Sequence, residues 1–191
     1  MIPNLIVPVL NRYDLLQRML DSIDYPIANL LVIDNNPDSA ARTEKPKSVE
    51  RMRWLHLPSN LGVAASWNLG IKLFPHDPVW FFASNDMWFE RGDLERLSHA
   101  DTGSLTLSQH YPYFHTFALG EGVVEAVGLF DERFYPAYYE DTDYIRRMQL
   151  ADLPITNMNV GAGHDNSSTL NSDARFQQRN GETFQRNQAL F

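Results

Sequence analysis

Short apolar runs of β-forming residues alternate with stretches that are apolar at helical spacing, and this rhythm leaves few ways for the amino-terminal half to fold. Leu5 to Leu10 is such a run, bracketed by Asn4 and Asn11, and reads as a buried strand. Leu15, Leu16, Met19, Leu20 and Ile23 then repeat with the period of a helix, with Asp14 near its start and Pro26 beyond its end. Leu30 to Ile33 reads as a second buried strand that halts at Asp34-Asn35-Asn36-Pro37, a cluster of turn formers. A β-α-β unit of this kind makes the first two strands parallel. The rhythm continues through a strand from Arg53 to Leu57 and a helix from Gly62 to Phe74, with Val63, Trp67, Ile71 and Phe74 on one face. A fourth strand, Val79 to Ala83, ends at Ser84-Asn85-Asp86.

The second half loses this alternation. Ser104 to Leu107 and Tyr113 to Ala118 read as strands with no full helix between them. Gly122 to Val127 predicts a short helix, Glu140 to Leu150 a longer one, and Ile155 to Val160 a last strand. From Ser172 the chain is polar and rich in Gln and Arg, which suits a docked helix or a tail. The expectation is one α/β, Rossmann-like domain over 1–171, with a mostly parallel central sheet and a mixed carboxyl-terminal half. Residues 1–100 would form the alternating half and 101–171 the mixed half, with a polar tail or helix over 172–191.

Charge and composition exclude several functions. The net charge of -8 argues against nucleic acid as a partner, since phosphate backbones call for clustered Lys and Arg. It also means that a phosphate ligand would need positive charge from somewhere other than the bulk surface. The absence of cysteine removes disulfides, zinc ribbons and thiol catalysis. Met1 to Leu10 lacks the basic start and long apolar run of a signal peptide, and no stretch reaches the length of a membrane span. A cytoplasmic setting is the expectation. Oligomerisation through the polar tail is open.

In open parallel sheets, ligands bind beyond the carboxyl ends of the strands. The residues found there are Asn11 and Arg12, then Asp34 to Asn36, then Ser59 to Gly62, then Ser84 to Asp86. Asp34 alone fits either an Asx turn or a carboxylate that receives a nucleoside. Asp86 closes the very apolar run Trp80-Phe81-Phe82-Ala83, where an uncompensated carboxylate is costly. A divalent ion shared with substrate phosphates would meet it, whereas Asp93 is better placed to cap the next helix. Glu140, Asp141 and Asp143 follow Tyr138 and Tyr139 at a helix start, where acids favour the dipole and can also serve as a general base. His164 stands in a Gly-rich polar loop, while His56, His76, His99, His110 and His115 have no comparable setting. There is no Gly-x-x-x-x-Gly-Lys loop and no Gly-x-Ser-x-Gly elbow.

Taken in order, these segments resemble the inverting family-two glycosyltransferases of the GT-A fold. Val7-Pro8-Val9-Leu10-Asn11-Arg12 is similar to the family's opening strand and nucleotide-contacting turn, and Val32-Ile33-Asp34-Asn35-Asn36 to its nucleoside-binding second strand. Asn60-Leu61-Gly62, continuing to Asn68-Leu69-Gly70, resembles its Asn-x-Gly helix. Gly128 to Phe134, followed by Tyr139-Glu140-Asp141-Thr142-Asp143 and Arg147, resembles its acceptor-side and catalytic segment. His164 with Ser167 and Ser168 resembles the late histidine that completes the metal site. Ser84-Asn85-Asp86 stands where the family carries Asp-x-Asp, keeping only the last acid.

The resemblance implies a nucleoside diphosphate sugar donor, a hydroxyl acceptor such as a glycan, and Mn²⁺ or Mg²⁺ held by Asp86 and His164. It also implies a nucleotide-sugar role for residues 1–100 and an acceptor and catalytic role for 101–171. Pro8, Val9, Asn11, Arg12, Asp34, Asn60, Gly62, Asn68 and Asn85 would bind the donor. Asp141 would be the general base, with Glu140 and Asp143 as competing candidates. Two other classes stay open: a nucleotidyltransferase of similar fold, and a catalytically silent nucleotide-sugar or carbohydrate-binding module.

Overall fold

The computed structural model describes residues 1–161, 163–165 and 174–191, without the side chains of 174–176. Strand β1 (Ile2–Val9) leads through α1 (Tyr13–Asp21) to β2 (Ile27–Asp34) and β3 (Val49–His56). Helix α2 (Val63–Leu73) precedes β4 (Val79–Ala83), the two-residue β5 (Met87–Trp88) and α3 (Asp93–Leu97). Then come β6 (Leu105–Ser108), a 3₁₀ turn at Tyr113–His115, β7 (Thr116–Gly120) and α4 (Glu121–Val127). The chain continues with α5 (Glu140–Leu150), β8 (Ile155–Met158), β9 (Gly163–His164) and α6 (Ala174–Leu190).

Seven strands form one sheet in the order β3-β2-β1-β4-β7-β6-β8. Its pairings make β7 the single antiparallel member, so the sheet is mostly parallel, as expected. From β1 the chain passes to β2 on one side, while β4 lies on the other. The ends of β1 and β4 therefore flank a topological switch point, the place where α/β sheets hold ligands.

Helices cover both faces, which explains why the central strands are apolar at consecutive positions. Leu30 and Val32 face the core that contains Leu16, Met19 and Leu20 of α1. Leu31 and Ile33 face the opposite core, with Trp67 and Ile71 of α2 and Tyr144 and Met148 of α5. In β4, Phe81 enters the first core and Trp80 and Phe82 the second. Trp67 packs edge-on against Phe117, their ring centres 5.0 Å apart, which ties α2 to the strand beyond β4.

Several boundaries differ from the sequence expectation. β3 begins at Val49 rather than Arg53, because it is an edge strand whose charged Glu50 and Arg51 reach solvent. Residues 113–115 form a 3₁₀ turn, and the strand starts only at Thr116. Asp93 does not cap α3, since the residue at that position is Gly92. The Asp93 carboxylate instead accepts hydrogen bonds from the Glu90 and Gly161 amides, joining the start of α3 to the loop before β9. β5 and β9 were not expected and pair antiparallel, Met87 opposite His164. The polar tail forms α6, whose docking shapes the site described next.

Candidate active site

A cavity of about 710 Å³ opens at the switch point. Pro8, Val9 and Leu10 line it from β1, and Ala83, Ser84, Asn85 and Asp86 from β4. The two strand ends are fastened together, since the Asn85 side-chain amide donates to the Asn11 carbonyl at 3.1 Å. Four polar clusters that are distant in sequence thus meet along one edge of the sheet.

Asp86 and His164 are brought together by the short β5–β9 pair. His164 Nε2 lies 3.1 Å from Asp86 Oδ1, and the Asp165 amide donates to the Asp86 carbonyl at 2.9 Å. A salt bridge from Arg18 of α1 to Asp165 and its guanidinium 4.4 Å above the Trp88 ring hold this hairpin against the domain. Gly163 leaves room for the Trp88 indole, which a Cβ at that position would meet at 1.8 Å.

The Asp86 carboxylate is a donor suited to Mg²⁺ or Mn²⁺, and the His164 imidazole is a softer nitrogen donor. The 3.1 Å separation is short enough for both atoms to reach one shared ion. Buried His164 Nδ1 has no hydrogen-bond partner among the described residues to fix the ring by its other nitrogen. Among the described residues, no group of three or more His, Cys, Asp or Glu side chains could hold an ion. Such an ion would be completed by substrate phosphate and water, the usual arrangement for Mg²⁺. Ser167 and Ser168 lie outside the described residues.

The turn before α2 forms the cavity's second wall. The Asn60 side-chain oxygen accepts from the Gly62 amide at 2.8 Å, and both residues line the cavity. Gly62 has φ +83° and ψ 177°, a region open mainly to glycine. A Cβ there would also lie 2.7 Å from the Pro136 carbonyl oxygen, which accepts from the Val63 amide. Asn35 joins the wall, donating to Ser66 Oγ and accepting from the Leu61 amide.

Asn11, Arg12, Asp34 and Asn68 stand apart from the cavity lining, as do Glu140, Asp141 and Asp143. Asp34 is fully buried at the end of β2, where Oδ1 accepts from the Tyr13 hydroxyl at 2.8 Å and the Asn36 amide at 3.1 Å. Its Oδ2 lies 3.0 Å from His56 Nδ1, an ion-pair distance rather than an aligned hydrogen bond. His56 stacks on Trp54 with ring centres 5.5 Å apart, and its Nε2 meets the Arg42 guanidinium. A guanidinium only donates, so Nε2 is the acceptor and the ring proton sits on the side of Asp34. Tyr13, Trp54, His56 and Arg42 were not anticipated around Asp34, and the spacing of His56 in the sequence carries no sign of the pairing.

Arg12 adopts a left-handed conformation before α1 and pairs with Asp14 at the surface. Asn68 is buried in α2 and makes three hydrogen bonds to the segment after α4, two with the Phe130 backbone and one with Glu132. It fastens that segment to α2.

The three acids at the start of α5 occupy different environments. Glu140 is buried, with Oε2 unpartnered, and burial together with nearby Asp141 pushes its carboxyl up to about 8. Asp143 is bonded to Arg147 at 2.8 Å. Asp141 is half-buried, and its Oδ1 accepts from the Thr142 amide at 2.7 Å. The preceding loop supplies Tyr135, Pro136, Ala137 and Tyr138 to the cavity.

Residues 172–191 were expected as a docked helix or a tail apart from the site, yet Arg179, Asn180, Glu182, Thr183 and Arg186 of α6 line the same cavity. Buried Asn187 donates to the carbonyls of Ala137 and Tyr138, at 2.8 and 3.1 Å. Phe184 packs on Tyr138 and Tyr139, and Phe191 on Tyr139. Arg186 donates to the Tyr135 carbonyl. The helix therefore braces the loop that leads into the acids of α5.

Comparison with known proteins places this site in context. Residues 4–102 match the sequence profile described as Glycosyl transferase family 2. A galactofuranosyl glycosyltransferase of Leishmania donovani is 34% identical over 92 residues, covering 41% of this chain and 21% of that protein. The chain thus spans about a fifth of that relative's length. Crystal structures of S. aureus TarS 1-349 in complex with UDP and with UDP-GlcNAc superpose with a TM-score of 0.61 at 14% identity. They cover 83% of this chain and 58% and 56% of theirs, and the likeness is one of fold, GT-A. With more than half of its residues matching the family profile and the family's fold behind them, the chain belongs to glycosyl transferase family 2.

Proposed function

We propose that this domain transfers a sugar from a nucleoside diphosphate donor to an acceptor hydroxyl with inversion of configuration. The observation that carries the reading is the cavity at the β1–β4 switch point, where Pro8, Asn60, Asn85, Asp86 and His164 converge. A uridine nucleotide is the first donor to test, because the TarS fold has been seen with UDP and UDP-GlcNAc. Pro8, Val9, Asn60, Gly62 and Asn85 would border the donor. Asp34, held by Tyr13 and His56, would receive the nucleoside, with Asn11 and Arg12 forming the turn beside it. Asn68 acts through its hold on the Phe130 segment.

Asp86 and His164 would hold Mg²⁺ or Mn²⁺, which when bound supplies positive charge for the leaving diphosphate. The acceptor oxygen attacks the anomeric carbon as the bond to the diphosphate oxygen breaks. The hydroxyl proton passes to a carboxylate, and Asp141 is the favoured base. Glu140 is protonated near neutral pH and Asp143 is tied to Arg147, so neither offers an available carboxylate as readily. One displacement inverts the anomeric centre without a covalent intermediate.

The test incubates the protein with UDP-sugars, Mn²⁺ and a panel of glycan acceptors, following the released nucleotide and the product anomer by NMR. The reading predicts UDP release with an inverted anomer. Pyrophosphate release would instead indicate a nucleotidyltransferase. Donor binding without turnover on any acceptor would indicate a silent module, consistent with Ser84 where the family carries an acid.

A further inference from the structure

We infer that Arg179 of α6 is a diphosphate-binding residue that supplies the cavity with positive charge the sheet does not provide. This inference rests on the proposed nucleotide-sugar reading and assigns a role to a helix outside the matched family segment, residues 4–102. Among the described residues the cavity presents two carboxylates, Asp86 and Glu182, and the chain carries a net charge of -8, so a diphosphate entering it meets an unfavourable field. Two arginines among the described residues line the cavity, and both come from α6.

Their situations differ. Arg186 is anchored, donating to the Tyr135 carbonyl and to the Asn187 side chain. Arg179 is exposed and forms no hydrogen bond or ion pair with any described residue. The other arginines near the strand ends are taken: Arg12 by Asp14, Arg18 by Asp165, and Arg42 by His56. Arg179 is thus the cavity guanidinium left to meet an incoming anion. It stands two turns before Arg186 on the same face of α6, a helix held in place by Asn187 and Phe184. A guanidinium matches phosphate oxygens in pairs, which suits a diphosphate better than a neutral sugar or base.

The test titrates the whole chain, wild type and variants, with UDP and with uridine in the presence of Mg²⁺, followed by ligand-detected NMR. For Arg179→Ala, loss of a charge-assisted contact should weaken UDP by about 10- to 100-fold and leave uridine unchanged. Arg179→Lys should recover part of the loss, and Arg179→Glu should exceed it. Raising the salt concentration should narrow the gap between wild type and Arg179→Ala. Equal losses for UDP and uridine, unchanged UDP affinity, or an effect confined to acceptor KM would each overturn the inference. A wild-type chain that binds neither UDP nor uridine would remove the functional reading itself, an outcome distinct from tight UDP binding that ignores Arg179.

Discussion

His164 Nε2 stands 3.1 Å from Asp86 Oδ1 because a two-residue strand after β4 pairs with a two-residue strand near the end of the chain. The pairing turns a loop histidine into the neighbour of the acid that follows β4, and both line the cavity. Gly163 makes this possible, since its missing side chain is where the Trp88 indole lies.

Gly163→Ala should therefore force Trp88 aside and pull His164 from Asp86. The expected result is at least about a tenfold loss in metal-dependent nucleotide affinity, the scale seen when groups that orient metal ligands are removed. Calorimetric titration of UDP with and without Mn²⁺ measures this directly. Unchanged metal dependence would mean that the hairpin does not position the ion.

Asp141→Asn should lower turnover by about two to four orders of magnitude while leaving the donor KM within a few-fold, as expected for loss of a general base. Asp143→Asn should act more weakly, by loosening Arg147, which also holds the Val127 and Leu129 carbonyls. Steady-state kinetics on both variants separates the roles. Near-wild-type turnover in Asp141→Asn would transfer the base to another residue.

Two buried groups give stability a pH dependence of opposite sign. Glu140 titrates near 8 in the folded protein, above its ordinary value, so its contribution is complete below about pH 4.5 and is lost as pH rises through 8. His115 is held below its ordinary value by burial, so protonation favours the unfolded chain and stability falls as pH drops below about 6.5. Glu140→Gln should raise the melting temperature at pH 8.5 and change it little at pH 4.5. Thermal denaturation across pH 4.5 to 8.5 reads this, and an equal shift at both ends would contradict the assignment.

Gly62→Ala should destabilise the fold by roughly 2–3 kcal/mol, combining a disfavoured backbone conformation with contact against the Pro136 carbonyl. Because the same turn borders the cavity, UDP affinity should fall together with the urea midpoint. Loss of stability with intact affinity would separate Gly62 from the donor site.

The parts of the fold legible in the sequence are those buried on both sides. β1, β2 and β4 show continuous apolar runs because helices cover both faces, and α1 and α2 show clear periodicity because each packs one face on the sheet. The start of β3 was hidden because an edge strand tolerates Glu50 and Arg51. β5 and β9 are too short for any alternation to register, so the Asp86–His164 approach could be inferred only from resemblance. The Asp34–His56 approach depends on strand register, Asp34 opposite His56 across β2 and β3, which local pattern does not carry. Helix α6 reads as polar because most of its described residues face solvent, and Phe184, Asn187 and Phe191 dock it with few apolar residues.

The most direct test of the central claim is calorimetric titration of the folded chain with UDP and UDP-sugars, with Mn²⁺ and with chelator, for wild type and Asp86→Ala. Metal-dependent binding is expected in the wild type, weakened about tenfold or more by Asp86→Ala, in keeping with a charged ligand contact. Absence of nucleotide binding by the folded wild type, or binding indifferent to both metal and Asp86, would contradict it.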